Sequence, residues 1–73
     1  MVKWKISKNF DIKEISKNLN LEEIGLLMIM KTFEEKGLEV TIDNLKEKAC
    51  ESKKEIQDII NKLIEKNYIE EIR

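Results

Sequence analysis

The chain has 73 residues, 40% of them charged, and a formal net charge of -1. A chain of that length makes one domain with a thin core, burying only about 60% of its unfolded surface. One cysteine, Cys50, and no histidine exclude a disulfide framework and leave no usual ligand set for a structural metal, so neither metal nor cofactor is expected.

A lone thiol, no leader-like apolar run in MVKWKISKNF, and an aliphatic stretch confined to residues 26–30 point to a soluble cytoplasmic protein. It is read as one domain over 1–73, with no membrane partner. Charge is uneven along it. Lys3, Lys5, Lys8, Lys13 and Lys17 against Asp11 and Glu14 leave residues 1–20 at +3. Lys31 and Lys36 against Glu22, Glu23, Glu34, Glu35, Glu39 and Asp43 leave residues 21–45 at -4, and the remainder balances. This is not the strongly basic composition of most nucleic-acid binders.

Val2, Trp4 and Ile6 alternate with Lys3, Lys5 and Ser7, the period-two pattern of a half-buried strand. Lys8-Asn9 breaks it. Asp11, with Glu14 three residues on, has the form of a capping box, and Phe10 and Ile15 are spaced for a hydrophobic staple. A helix over 12–18 follows, with Ile12, Ile15 and Leu19 on one face. Asn20 and Glu23 repeat that logic, with Leu19 and Ile24 as the staple, and open a helix running to residue 36. Gly37 then takes a left-handed cap.

The second helix carries Leu21, Ile24, Leu27, Met28 and Phe33, with Ile29 or Met30, on more than one stripe. That predicts the central helix, packed on two sides. Met28 belongs to its core and Met30 is a candidate for a partner-facing position. Gly25 inside it costs about 1 kcal/mol relative to alanine, which a close helix or strand crossing would explain. The acid pairs Glu22-Glu23 and Glu34-Glu35 read as helix-surface groups without a pocket. No catalytic constellation and no small-molecule substrate follow from them.

Residues 38–41 are briefly extended. Thr41 caps a helix from 42 to about 49, with Ile42, Leu45 and Ala49 inward, and Cys50 reads as a small buried residue in the turn. Ser52 and Glu55 open the last helix, where Ile56, Ile59, Ile60, Leu63 and Ile64 keep the i, i+3, i+4, i+7, i+8 pattern. Asn67 provides a left-handed stop. Residues 68–72 form a strand that can pair with the first, bringing Lys3 and Lys5 near Glu70 and Glu71.

Residues 41–69 thus read as helix, tight turn and helix, an arrangement that can place its second helix in a DNA groove. Together with NLEEIGLLMIM, VTIDNLKEKA, the Ser52 cap and KLIEKNYIEE, the chain resembles the N-terminal winged-helix domains of phage and plasmid replication initiators and DnaD-like primosome proteins. The resemblance covers nearly the whole chain. It implies a mainly α fold with a small β-sheet, a winged helix-turn-helix. Because the chain stops at Arg73 the wing is truncated, and Asn67 stands where such domains often have glycine. The resemblance also implies self-association at the N-terminal end, hence a homodimer, for which the unpaired edge of the first strand offers a route.

On the last helix Lys53, Lys54, Gln57, Asp58 and Asn61 point away from the apolar stripe. Gln57 and Asn61 suit bidentate contact with adenine, and Lys53 and Lys54 suit phosphate or guanine. Ser52 and the helix N-terminus offer donors to a phosphate, and Lys46 and Lys48 can meet the DNA backbone. The alternative is a merely solvated face, favoured by Glu55 and Asp58, which repel phosphate. Lys3, Lys5, Lys8 and Lys13 either add nonspecific attraction or are solvated likewise. Trp4 packs over the core or anchors a partner.

The expected function is a small protein that binds double-stranded DNA, a phage or mobile-element regulator or a replication accessory factor. The alternative is a protein-interaction module on the same frame, such as a phage-type inhibitor of a host or defence nucleic-acid enzyme. There the acidic surface of Glu34, Glu35 and Glu39 would engage a basic partner.

Overall fold

The structure is a computed structural model describing residues 2–72. The elements are β1 (Lys3–Ile6), α1 (Ile12–Asn18), α2 (Leu21–Glu35), α3 (Ile42–Lys48), α4 (Lys53–Glu65) and β2 (Ile69–Ile72). The fold is mainly α with a small antiparallel sheet, as the sequence pattern requires. All four helices begin at the caps the sequence marks. Asp11, Asn20, Thr41 and Ser52 are each extended, and each side chain accepts the N–H of the residue three positions on. In α1 only half the box forms, because the Glu14 carboxylate turns to Lys8 at 3.1 Å.

α2 and α4 end alike. Gly37 and Asn67 take left-handed φ values of 72 and 67°. Behind them the Leu38 N–H donates to the Phe33 carbonyl at 2.8 Å and the Tyr68 N–H to the Leu63 carbonyl at 3.0 Å, which satisfies carbonyls the helix leaves open.

β1 pairs antiparallel with β2, Ile6 opposite Ile69 and Lys5 opposite Glu70. Lys5 and Glu70 form an ion pair at 3.1 Å, while Lys3 turns instead to Glu39 at 3.1 Å. On the other side of β1 the Trp4 N–H donates to the Val40 carbonyl at 3.0 Å. The Ile6 N–H donates to Glu34 Oε2 at 2.7 Å. The unpaired edge expected on the first strand is therefore occupied, by one carbonyl and one carboxylate.

α2 is central, packed on α4, α3 and β1. The core gathers Ile15, Leu27, Met30, Leu45, Ile56, Ile60 and Leu63, with Trp4 and Tyr68 closing it. Phe10 meets the Tyr68 ring edge-on, centroids 6.2 Å apart.

Several side chains depart from expectation. Met30 is fully buried, so it faces no partner, and Met28 is only half-buried. Trp4 is buried too, which leaves the partner-anchor alternative no surface. Leu21 is 86% exposed, because it lies about 200° around the helix from inward Glu23. Ile12, the first residue of α1, is 63% exposed, while Ile15 and Leu19 join the core. Ile64 sits at the rim of the α4 stripe. Cys50 is exposed, since the α3–α4 turn runs outside the core and Ala49 fills the inward position. An added Cβ at Gly25 would meet nothing within 4 Å, so no crossing explains that glycine. Among the described residues no helix is long and apolar enough to cross a membrane.

Candidate nucleic-acid interface

α3 and α4 are joined by residues 49–52, a turn short enough to fix their relative direction. Ile56, Ile59, Ile60 and Leu63 bury one side of α4. At about 100° per residue, Lys54, Asp58, Asn61 and Glu65 form the strip diametrically opposite, and all four are exposed. Lys53 and the half-buried Gln57 lie to one side of that strip. Lys53 Nζ reaches Asp43 Oδ1 at 2.8 Å and ties the start of α4 to the start of α3. Gln57 Nε2 donates to Asn61 Oδ1 at 3.0 Å.

The structure thus brings Ser52, Lys53, Lys54, Gln57 and Asn61 together on one helix and its cap. Lys46 and Lys48 are exposed on α3, beside it in the chain rather than on the same strip. Among the described residues Lys46, Lys48 and Lys54 enter no ion pair.

The N-terminus of α4 is electrically crowded. Ser52 Oγ donates to Glu55 Oε1 at 3.0 Å and accepts the Glu55 N–H at 3.2 Å. The Ser52 N–H also turns to Glu55 Oε1, at 3.4 Å. Glu51 lies against the same carboxylate. A hydrogen bond with Glu55, then the Glu55 charge, then burial and the Glu22 charge raise the Glu51 pKa above its ordinary value. Glu55 is lowered by the hydrogen bonds from Glu51 and Ser52. Two carboxylates thus face each other beside the helix start.

Sequence reasoning missed the most engaged acid. Glu23 is not a surface group: it is 1% exposed. Besides accepting the Asn20 N–H at 2.9 Å, it takes Lys66 Nζ at 3.1 and 3.3 Å on its two oxygens. Lys66 also donates to the Asn18 carbonyl at 3.1 Å, so one ammonium joins the end of α1, the start of α2 and the end of α4. Burial pushes the Glu23 carboxyl up. The Asn20 N–H, then the Lys66 hydrogen bonds and charge, then the Lys62 charge outweigh it and hold the pKa below the ordinary value. The signal was present: Glu23, Leu26, Leu27 and Met30 recur at i, i+3, i+4, i+7 and all are buried.

The acidic surface read from Glu34, Glu35 and Glu39 is partly spent internally, Glu34 on the Ile6 N–H and Glu39 on Lys3. Among the described residues no group of three His, Cys, Asp or Glu side chains is placed to hold a metal ion.

A three-helix core whose third helix is presented after a tight turn and followed by a sheet strand defines a winged helix-turn-helix protein. The chain belongs to a helix-turn-helix domain family, whose sequence profile matches residues 17–69, from the last turn of α1 to the first residue of β2. No curated protein and no solved structure matches the chain.

Proposed function

We propose that the protein binds double-stranded DNA by laying α4 in the major groove. The observation that carries this reading is the outward strip of α4, exposed among the described residues, in a helix-turn-helix family. Lys54, in no ion pair among the described residues, supplies a phosphate contact. The Gln57–Asn61 hydrogen bond uses one amide group of each residue. The Gln57 Oε1 acceptor and the Asn61 Nδ2 donors stay free, groups that can meet the adenine N6 donor and N7 acceptor. Lys46 and Lys48 approach the flanking phosphates, and Lys53 contributes once it leaves Asp43. Ser52 offers a phosphate donor only by rotating away from Glu55. The resemblance to replication-initiator domains suggests the setting, a cytoplasmic regulator or replication accessory factor of a phage or mobile element. A single-domain chain acting as a homodimer would read paired half-sites.

The test is electrophoretic retardation of genomic fragments across a salt series. The expected result is binding that weakens steeply with salt. Lys54→Ala should weaken all sequences alike and reduce the salt slope by about 1, while Gln57→Ala should cost about 1–3 kcal/mol at the preferred site alone. No retardation of any fragment at low salt overturns the proposal.

A second reading, the protein-interaction module, is favoured by the acids at the start of α4. Glu51, Glu55 and Glu22 stand where a phosphate would approach the helix N-terminus, and each repels it. An inhibitor of a nucleic-acid enzyme would use them, together with Glu35, against a basic surface. Co-purification of a stoichiometric partner, lost on reversing these charges, supports it.

A further inference from the structure

On α2, Glu22, Gly25, Leu26 and Ile29 recur at i, i+3, i+4, i+7 and form one wall of a groove that the α3–α4 turn and the first half of α4 close. Its floor is apolar: Leu26, Ile29, Ala49, Ile56 and Ile59. Its volume is ≈ 270 Å³, just below the span of about 300–1,000 Å³ that houses drug-sized ligands. It is open to solvent and suits an inserted side chain better than a free small molecule.

Gly25 is what opens the groove. A glycine inside a helix costs about 1 kcal/mol relative to alanine. Here neither a positive φ nor a close neighbour requires it, since open space lies above its Cα. Any larger side chain would lie over the apolar floor. The absence of one keeps that floor accessible.

The mouth has a sign. Glu22 and Glu51 line it, Lys48 is the one cation among the lining residues, and Glu55 is hydrogen-bonded to Glu51 from behind. The Glu55 and Glu22 charges raise the Glu51 pKa, as negative neighbours must. A cation settling between these carboxylates would relieve their repulsion, whereas a phosphate would add to it.

We propose that this groove docks a basic segment of a partner protein, seating one leucine- or methionine-sized side chain on the apolar floor with lysine or arginine beside it against Glu22 and Glu51. The site lies off the outward strip of α4 but shares Lys48 and the start of α4 with the DNA contacts proposed above, so peptide binding and DNA retardation are read separately. Its energetic centre is the buried apolar anchor, and the charge pairs at the rim set orientation and partner choice.

The experiment is an amide-resonance NMR titration of the whole protein. The probe is a synthetic 12-residue amphipathic peptide bearing one leucine flanked by lysine and arginine. Saturable shifts centred on Gly25, Cys50 and Ile59 are expected. Gly25→Leu should fold at least as well as the parent, shown by an undiminished Tm, yet weaken the peptide at least tenfold by filling the groove. The double change Glu22→Gln and Glu51→Gln should weaken it about fivefold and flatten its salt dependence. The idea is overturned if the peptide gives no saturable shift, if Gly25→Leu leaves its affinity unchanged, or if a peptide with glutamate in place of the basic residues binds equally. It is also overturned if a DNA duplex, and not the peptide, moves the groove resonances, since the groove would then be a nucleic-acid surface. Loss of DNA retardation with peptide binding intact would refute the function proposed above and leave this site standing.

Discussion

α2 and α4 begin with the same four-position device, a polar cap followed by glutamate at the third helical residue, and both boxes close reciprocally. Their surroundings make them opposites. At Asn20 the glutamate points into the apolar stripe, meets Lys66 and is buried. At Ser52 the glutamate stays in solvent and meets another acid, Glu51. A capping box is a local arrangement that sequence specifies well. Whether its carboxylate becomes an interior anchor or a surface charge depends on what the rest of the chain brings to it.

The largest contrast should come from removing the two glutamates in turn. Glu23→Ala takes away a cap acceptor and strands Lys66 from its buried partner. We expect a loss of about 2 kcal/mol, below the ~3–5 for breaking a fully buried pair because the Lys66 side chain is 41% exposed. For a domain of this size that lowers Tm by roughly 10 °C, measurable by thermal or urea unfolding. If Glu55→Ala cost as much, the two boxes would be energetically equivalent and the comparison would fail.

Acid separates the boxes next. The Glu23 pKa in the folded protein is lowered from 4.5, so its contribution is present above 4.5 and is lost as pH falls through the lower folded value. Glu51 is raised from 4.5, so its contribution is complete below 4.5 and is lost as pH rises through the folded value. Urea titrations at several pH values should show Glu23→Gln flattening the acid limb. Glu51→Gln should leave stability unchanged at pH 4 and raise it at pH 7, where repulsion from Glu55 is relieved. A stability gain for Glu51→Gln that is the same at both pH values would refute that repulsion.

Smaller effects sharpen the picture. Ser52→Ala removes the hydroxyl that accepts the Glu55 N–H and should cost about 1 kcal/mol, while α4 keeps its buried stripe. Lys53→Met breaks the pair with Asp43, both side chains of which are more than half exposed. Its cost should stay below about 0.5 kcal/mol and shrink in salt. A larger loss would make that pair part of the device that orients α3 on α4.

The sequence showed what is local. Four caps, two left-handed stops, the α4 stripe and the pairing of the two strands were legible because each follows from spacings within a few residues or from period-two alternation. Of the interface residues expected on α4, Lys53, Lys54 and Asn61 are exposed and Gln57 is half-buried, since the stripe dictates the opposite face. What escaped depends on distant partners. Glu23 looked like a surface acid until Lys66, forty-three positions away, arrived beside it. Met30 and Leu21 exchanged expected environments because an apolar helix has no polar face to fix its rotation. Cys50 and Gly25 were read as buried or crowded because small residues usually fill tight places. Here they mark a turn outside the core and a groove.

Glu34 has a consequence for strand addition to this sheet. A foreign strand can extend a sheet only where successive backbone N–H and C=O groups are free. Along β1 the outward N–H groups of Trp4 and Ile6 are satisfied, and a carboxylate presents acceptors alone, so it cannot continue a ladder. Ordered aggregation from this sheet is left one direction, across β2. One carboxylate thus helps close the β1 flank of the sheet to a foreign strand.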